Sequence, residues 1–265
     1  MSSPVDPVES ATDLDVALLG PVEVRAAHSF RRGAARDLVV YLACHPRGVR
    51  TAQWVQALWP DRAVSPSTVH STASDARRAL GPDRWGQPRM ARQGGLLRLA
   101  ECVATDVDRF AHLAGSDAPD AALRALRLVR GIPLSGLSRS DWAVFDGTQA
   151  RLEAMVVELA LGACVRLVAD GDATGAEQVV RQGLLASPYD ERLYRALLRV
   201  TVAQGDRARL PTTMARLRVL AGDDGSVPGE GPSARFADRL HPETTALYQR
   251  LLHGLPAVGG HPARL

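Results

Sequence analysis

The chain has 265 residues, 46% of them hydrophobic, and a formal net charge of +3. That length exceeds one ordinary domain of about 100–200 residues, so two domains are expected, each with enough apolar residues for a core. Every one of the 32 cationic side chains is arginine, and the absence of lysine excludes P-loop nucleotide hydrolysis, Schiff-base chemistry and the kinase and β-lactamase signatures together.

No apolar run approaches the roughly 18–20 residues that span a bilayer, and Met1 to Thr12 is polar and acidic, without a signal region. A cytoplasmic protein with no membrane contact is expected, with residues 1–13 forming a disordered tail. Cys44, Cys102 and Cys164 lie far apart in apolar-rich neighbourhoods, which predicts buried free thiols rather than a disulfide framework or a metal site.

Asp15 to Arg25 reads as strand, turn, strand around Gly20-Pro21. Ala34, Leu38 and Leu42 at i, i+4 and i+8 predict an amphipathic helix from Gly33 that His45-Pro46-Arg47-Gly48 ends. A short helix then starts at Thr51, read as its N-cap, and stops at Pro60. Ser65-Pro66 opens a third helix that runs to Leu80 and Gly81, with Val69, Ala73, Ala76 and Leu80 on one stripe. Its opposite face gathers Ser67, Ser71, Ser74 and Arg78, flanked by His70 and Arg77 on one side and Asp75 on the other. Gln87 to Leu99 reads as a hairpin turning near Gly94-Gly95 and carrying Arg89, Arg92 and Arg98. Strands, three helices and a terminal hairpin, in that order, describe a winged helix-turn-helix.

From Asp106 onward the periodicity is helical throughout. Helices are expected over Val107–Ala114 and Ala118–Val129. After an irregular stretch from Gly131 to Leu137, a longer helix begins near Ser140-Asp141-Trp142. Asp170-Gly171-Asp172 returns as Gln204-Gly205-Asp206 after 34 residues, the tetratricopeptide period, among helices read as Ala150–Ala169, Thr174–Ala186, Tyr189–Ala203 and Arg207–Ala221. Ser187, Pro188 and Asp190 are read as N-cap, N1 and N3 of the third of these. A Gly-rich loop over Asp223–Ser233, a last helix over Pro242–His253 and a flexible tail over 254–265 complete the chain. The fold class is thus mainly α with a small β component: a winged helix-turn-helix over 14–105, followed over 106–253 by an all-α, tetratricopeptide-like domain.

Duplex DNA requires cations for its phosphates and a helix with short side chains for the major groove. Between Gly20 and Thr105 stand thirteen arginines and six acidic residues, a net of +7 against +3 for the whole chain. Positive charge is therefore concentrated in the first domain, as in a DNA reader joined to a protein-contact domain. Ser67, His70, Ser71, Ser74 and Arg78 are the candidate base readers, and Arg77 is placed for a phosphate. Thr51 opens a helix whose backbone amides suit a phosphate, and Arg89 and Arg92 lie on the wing. Trp54, Trp59, Trp85 and Trp142 are read as core or boundary packing, not as a base-stacking platform. No histidine falls into metal or catalytic spacing and no G-x-S-x-G, C-x-x-C or G-x-G-x-x-G occurs, so neither an enzyme nor a cofactor is expected. Asp75 beside the reading face would repel phosphates unless it accepts from a cytosine amine or pairs with a neighbouring arginine. With the modest charge of the reading helix it motivates one alternative, a winged helix that has lost DNA binding and serves as an interaction or sensor module, a fragment of a larger signalling protein.

The segments LLGPVEVR (Leu18 to Arg25), YLACHP (Tyr41 to Pro46), ALWP (Ala57 to Pro60), ARRALG (Ala76 to Gly81), DVDRF (Asp106 to Phe110), GIPL (Gly131 to Leu134) and HPETTALYQRLL (His241 to Leu252) follow one another in this order. Together, from about Leu14 to Leu252, the chain resembles the Streptomyces antibiotic regulatory protein family. The resemblance implies an OmpR-type winged helix joined to a bacterial transcriptional activator domain. It further implies binding as a homodimer to direct repeats in double-stranded promoter DNA, and recruitment of RNA polymerase holoenzyme. Carried onto this chain, the reading helix is Ser67 to Leu80 and the wing Arg89 to Leu99.

Overall fold

The computed structural model describes residues 15–137, 141–220 and 240–254. Two compact units divide the chain: Met1–Asp117 with Arg130–Glu153, and Ala118–Val129 with Ala154–Leu265. The expected tails, the Gly-rich loop and Ser140 lie outside the described residues.

The first unit begins with β1 (Val16–Ala17) paired antiparallel to β2 (Glu23–Val24), Val16 opposite Val24. Three helices follow, α1 (Gly33–Ala43), α2 (Thr51–Leu58) and α3 (Pro66–Leu80), and then the hairpin of β3 (Met90–Gln93) and β4 (Leu96–Leu99). The two residues of the hairpin turn, Gly94 and Gly95, have φ of 58° and 80°, the left-handed pair that a tight two-residue hairpin requires and that only glycine adopts without strain. Leu38, Leu42, Trp54, Leu58, Leu80, Met90, Leu97 and Phe110 are buried together with Leu18 and Leu19 as the core. These are the apolar stripes that the helical and strand periodicities select.

The sequence reading set a junction between residues 105 and 106, yet the first unit continues beyond it. Asp106, at the start of α4 (Asp106–Ala114), accepts hydrogen bonds from the backbone N–H groups of Leu18 and Leu19 at 2.7 and 2.9 Å. Burial raises this carboxyl above its ordinary range, against the pull of those two N–H groups and of Arg130. The stretch read as irregular is docked as well: Arg130 and Leu134 donate backbone bonds to Leu19 and Leu18, and Val22 donates one to Ser135. The longer helix expected from Ser140 is the short α6 (Asp141–Phe145), and the helix read as Ala150–Ala169 is α7 (Thr148–Ala169), which starts two residues earlier. Asp146 between them accepts from the Thr148 N–H at 2.9 Å and so starts a new helix.

The second unit holds α5 (Ala121–Leu126), shorter than expected, the later turns of α7, then α8 (Ala173–Ala186), α9 (Glu191–Ala203), α10 (Leu210–Leu220) and α11 (Pro242–Leu252). The 34-residue echo is a repeat of geometry. Asp172 N–H bonds Leu167 C=O and Gly171 N–H bonds Val168 C=O, and 34 residues later Asp206 bonds Thr201 and Gly205 bonds Val202. Gly171 and Gly205 both hold φ near +80°, at 80° and 76°, so each helix ends in the same left-handed cap. Two details differ from the sequence reading. Asp190, not Ser187, caps α9 by accepting from the Arg192 N–H at 2.9 Å, because Ser187–Asp190 closes a turn of its own. Arg207–Arg209 is a single 3-10 turn ahead of α10, whose second residue, Pro211, suits a helix start. Tyr194, Leu198, Leu210, Met214, Leu217 and Tyr248 form a core of this unit.

Candidate nucleic-acid interface

α3 is built to stand as an independent, well-terminated helix. Ser65 Oγ accepts from the Thr68 N–H at 3.2 Å, Pro66 occupies N1, Arg77 and Arg78 sit in the last turn, and Gly81 ends the helix. Thr72, Ala73, Asp75, Ala76, Ala79 and Leu80 are buried, whereas Ser67, His70, Ser74 and Arg77 are exposed. The exposed set falls at i, i+3, i+7 and i+10, one continuous stripe of short polar side chains ending in a guanidinium. Ser71, also expected on the reading face, is half-buried and donates its hydroxyl to Thr68 C=O at 3.1 Å. Val69, expected in the buried stripe, is only half-buried.

Asp75 is not on that stripe. Its carboxylate is turned inward, accepting from the backbone N–H groups of Arg31 and Arg32 at 2.9 and 3.0 Å and from Arg78 Nη2 at 2.6 Å. Arg32 is the residue that precedes α1, so Asp75 takes up donors at the start of that helix from across the fold. Burial pushes the Asp75 carboxyl up, but the Arg78 guanidinium and the two N–H groups outweigh it and hold it below the ordinary aspartate range. A carboxylate engaged in this way adds no negative charge to the outer face.

The same contact removes Arg78 from the candidate base readers. Its guanidinium also donates to Ser29 C=O at 2.8 Å, which makes it a clamp on residues 29–32. Arg89 is likewise committed, to Asp15 at 2.6 Å, and it precedes β3 instead of lying on the wing. Asp15 in turn accepts from the Ala104 N–H at 3.0 Å, so this pair fastens the two ends of the winged-helix segment.

The wing and the start of α2 form one piece. Val49 and Leu97 exchange backbone bonds at 2.9 and 2.8 Å, which places the residues before α2 alongside β4. Arg92 is exposed on β3 and donates to Thr51 Oγ1 at 2.9 Å. Thr51 is the first helical residue, not the cap; Arg50 precedes the helix, and its N–H donates to the Gln53 side chain at 2.7 Å. Arg50 and Arg92 therefore flank a helix N-terminus, an arrangement that favours a phosphate oxygen. Arg31, Arg32, Arg50, Arg62, Arg77, Arg84 and Arg92 are exposed and form no ion pair among the described residues.

Sequence reading missed the place of Arg50, although it directly precedes Thr51, and it misplaced Trp85. Trp54, Trp59 and Trp142 are buried, but Trp85 is 65% exposed, with the Arg84 guanidinium 4.0 Å above its ring. Cys44 and Cys164 are buried as expected while Cys102 is exposed; burial pushes the Cys44 thiol up to about 12 and keeps it protonated. Among the described residues no group of three His, Cys, Asp or Glu side chains is placed to hold a metal, and no helix is long and apolar enough to cross a membrane.

These elements define a winged helix-turn-helix coupled to an all-helical unit with a tetratricopeptide-like repeat. The chain matches no protein-family model and no curated protein. Among solved structures it is similar to Mycobacterium tuberculosis EmbR in complex with a low affinity phosphopeptide, at 23% identity and a TM-score of 0.61. The likeness covers 93% of this chain and 66% of that one, so the chain spans slightly under two thirds of EmbR's length. At this identity the likeness is one of fold.

Proposed function

We propose that the chain is a DNA-binding transcription regulator that inserts α3 into the major groove and grips flanking phosphates with the wing and the start of α2. The observation that carries this reading is the inward turn of Asp75, which leaves Ser67, His70, Ser74 and Arg77 as an outward stripe without a carboxylate. Hydroxyls and an imidazole at helical spacing reach base edges, and Arg77 reaches a phosphate or a guanine. Arg50, Thr51 and Arg92 supply a second anchor. A winged helix without DNA binding draws on the charge of Asp75 and on the modest charge of the reading helix; Arg78 neutralises the first, and Arg77 carries the cationic charge of the outer stripe.

By the family resemblance, the protein acts in the cytoplasm as an activator on promoter DNA, as a homodimer, with its helical unit making protein contacts, RNA polymerase among them. The test is selection of genomic fragments by the purified full chain over a salt series. The reading requires enrichment of defined duplexes with affinity that falls steeply as salt rises. Absence of retained duplex at low salt refutes it.

A further inference from the structure

In the second unit one surface carries cationic charge that its own carboxylates do not neutralise. α7, α9 and α11 line an open groove of about 400 Å³. The α7 wall is apolar: Leu161, Val165 and Val168 recur at i, i+4 and i+7, the spacing of a stripe made for a packing partner. Yet Val165 and Val168 remain 36% and 40% exposed. Gly162 leaves room beside them, since a Cβ there would meet only Arg166 Nη1, at 3.7 Å.

The α9 wall is cationic. Arg192 is spent on Glu158 and Asp190 at 2.5 and 2.8 Å. Arg195 donates to Thr244 Oγ1 at 3.0 Å and keeps only a 3.8 Å approach to Glu243. Arg199, one turn on, makes no hydrogen bond or ion pair among the described residues. Burial and the like charges of Arg195 and Arg250 press its guanidinium downward from the ordinary arginine range, and Cys164 and Glu243 oppose them only in part. An anion that approaches this wall relieves the repulsion among the three guanidinium groups.

We propose that this groove binds an acidic, amphipathic helix of a partner protein. Leu161 to Val168 spans two turns, about 10 Å, enough to seat the apolar face of a docked helix. Arg195 and Arg199 lie about 6 Å apart along α9, the rise between carboxylates at i and i+4 on such a helix. A phosphate backbone would use the arginines but gain nothing from the valines, so the apolar wall favours a peptide over a nucleic acid. The proposal gives a site to the protein-contact role of the helical unit, and it does not depend on DNA binding by the first unit.

The test is fluorescence anisotropy of the full chain with a fluorescein-labelled synthetic helix that carries leucine on one face and glutamate on its flanks. Saturable binding is expected, weakened about fivefold by Arg195→Gln or Arg199→Gln and further by added salt. Val165→Glu is expected to abolish it while the thermal melt and duplex DNA binding stay unchanged. The proposal is overturned by no saturation at low salt, by equal binding of a probe with glutamine for glutamate, or by affinity indifferent to Arg199→Gln. Displacement of the probe by duplex DNA, relieved by the same arginine substitutions, overturns it in favour of a nucleic-acid site. Probe binding without any DNA binding supports the groove and removes only the regulator reading.

Discussion

The two units direct their carboxylates differently. In the first, Asp75, Asp15 and Asp106 are turned inward onto backbone N–H groups and onto Arg78 and Arg89, while Arg31, Arg32, Arg50, Arg77 and Arg92 face outward. In the second, several carboxylates meet arginines at the surface: Glu177 accepts from both Arg181 and Arg209 at 2.6 Å, and Arg192 joins Asp190 to Glu158. Net charge along the sequence therefore does not by itself locate a nucleic-acid face. What decides it is where each carboxylate points, and a carboxylate that caps a backbone inside the fold frees the exterior for phosphates.

Substitutions that force the two regions to exchange behaviour sharpen this contrast. The largest effect is expected from Asp75→Ala. It leaves Arg78 and the N–H groups of Arg31 and Arg32 without their acceptor and should cost about 3 kcal/mol of stability in chemical denaturation; an unchanged midpoint would mean that the inward carboxylate does not hold α1. Glu177→Gln should cost about 2 kcal/mol by loosening α8 from the 204–209 turn, measured as a lower thermal midpoint of the second unit.

The same glutamate sets a pH dependence. The Arg209, Gln204 and Arg181 side chains hold its carboxyl down at about 2, against an ordinary value of 4.5. Because the folded value is the lower one, the stabilisation is complete above about pH 4.5 and is lost as the pH falls toward 2. Denaturation curves of the Glu177→Gln variant should accordingly lack this share of the acid sensitivity. Arg92→Ala should reduce the slope of log affinity against log salt by about one phosphate contact without altering sequence preference. The smallest effect belongs to Glu158→Gln, whose surface pair with Arg192 should shift stability by only about 0.5 kcal/mol.

Local signals in the sequence were enough to place most elements. Ser65-Pro66 and Gly81 bound α3 at Pro66–Leu80 as predicted, Gly94-Gly95 turned the hairpin, and the Gly-Asp echo marked two helix ends with the same hydrogen bonds. Of the outer stripe, Ser67 and Ser74 were legible on the helix wheel, which set His70 and Arg77 on its flank and gave the centre to Ser71 and Arg78, both half-buried. Asp75, Arg78 and Arg89 were misjudged for a common reason. Asp75 and Arg78 pair with each other within one turn, which the helix spacing allows, but the partners that turn them inward lie 43 or more residues away, at Arg31, Arg32 and Ser29, as does Asp15 for Arg89, and no periodicity within a helix reveals those. The docking of residues 130–135 on residues 18–22 was invisible in the same way, since it uses backbone groups that every residue carries. Trp85 escaped because a tryptophan is usually buried, whereas here the turn that Asp83 closes by accepting from Trp85 and Gln87 holds it outward.

The outward stripe and the inward clamp lie on one helix, one residue apart at Arg77 and Arg78. Affinity for a selected duplex, measured beside the thermal midpoint for Arg77→Ala and Arg78→Ala, separates them. Arg77→Ala should weaken binding by about 1–3 kcal/mol with an unchanged midpoint, and Arg78→Ala should lower the midpoint first. Full affinity in Arg77→Ala, or a loss of affinity in Arg78→Ala at an unchanged midpoint, would contradict the assignment of α3's outer face to DNA.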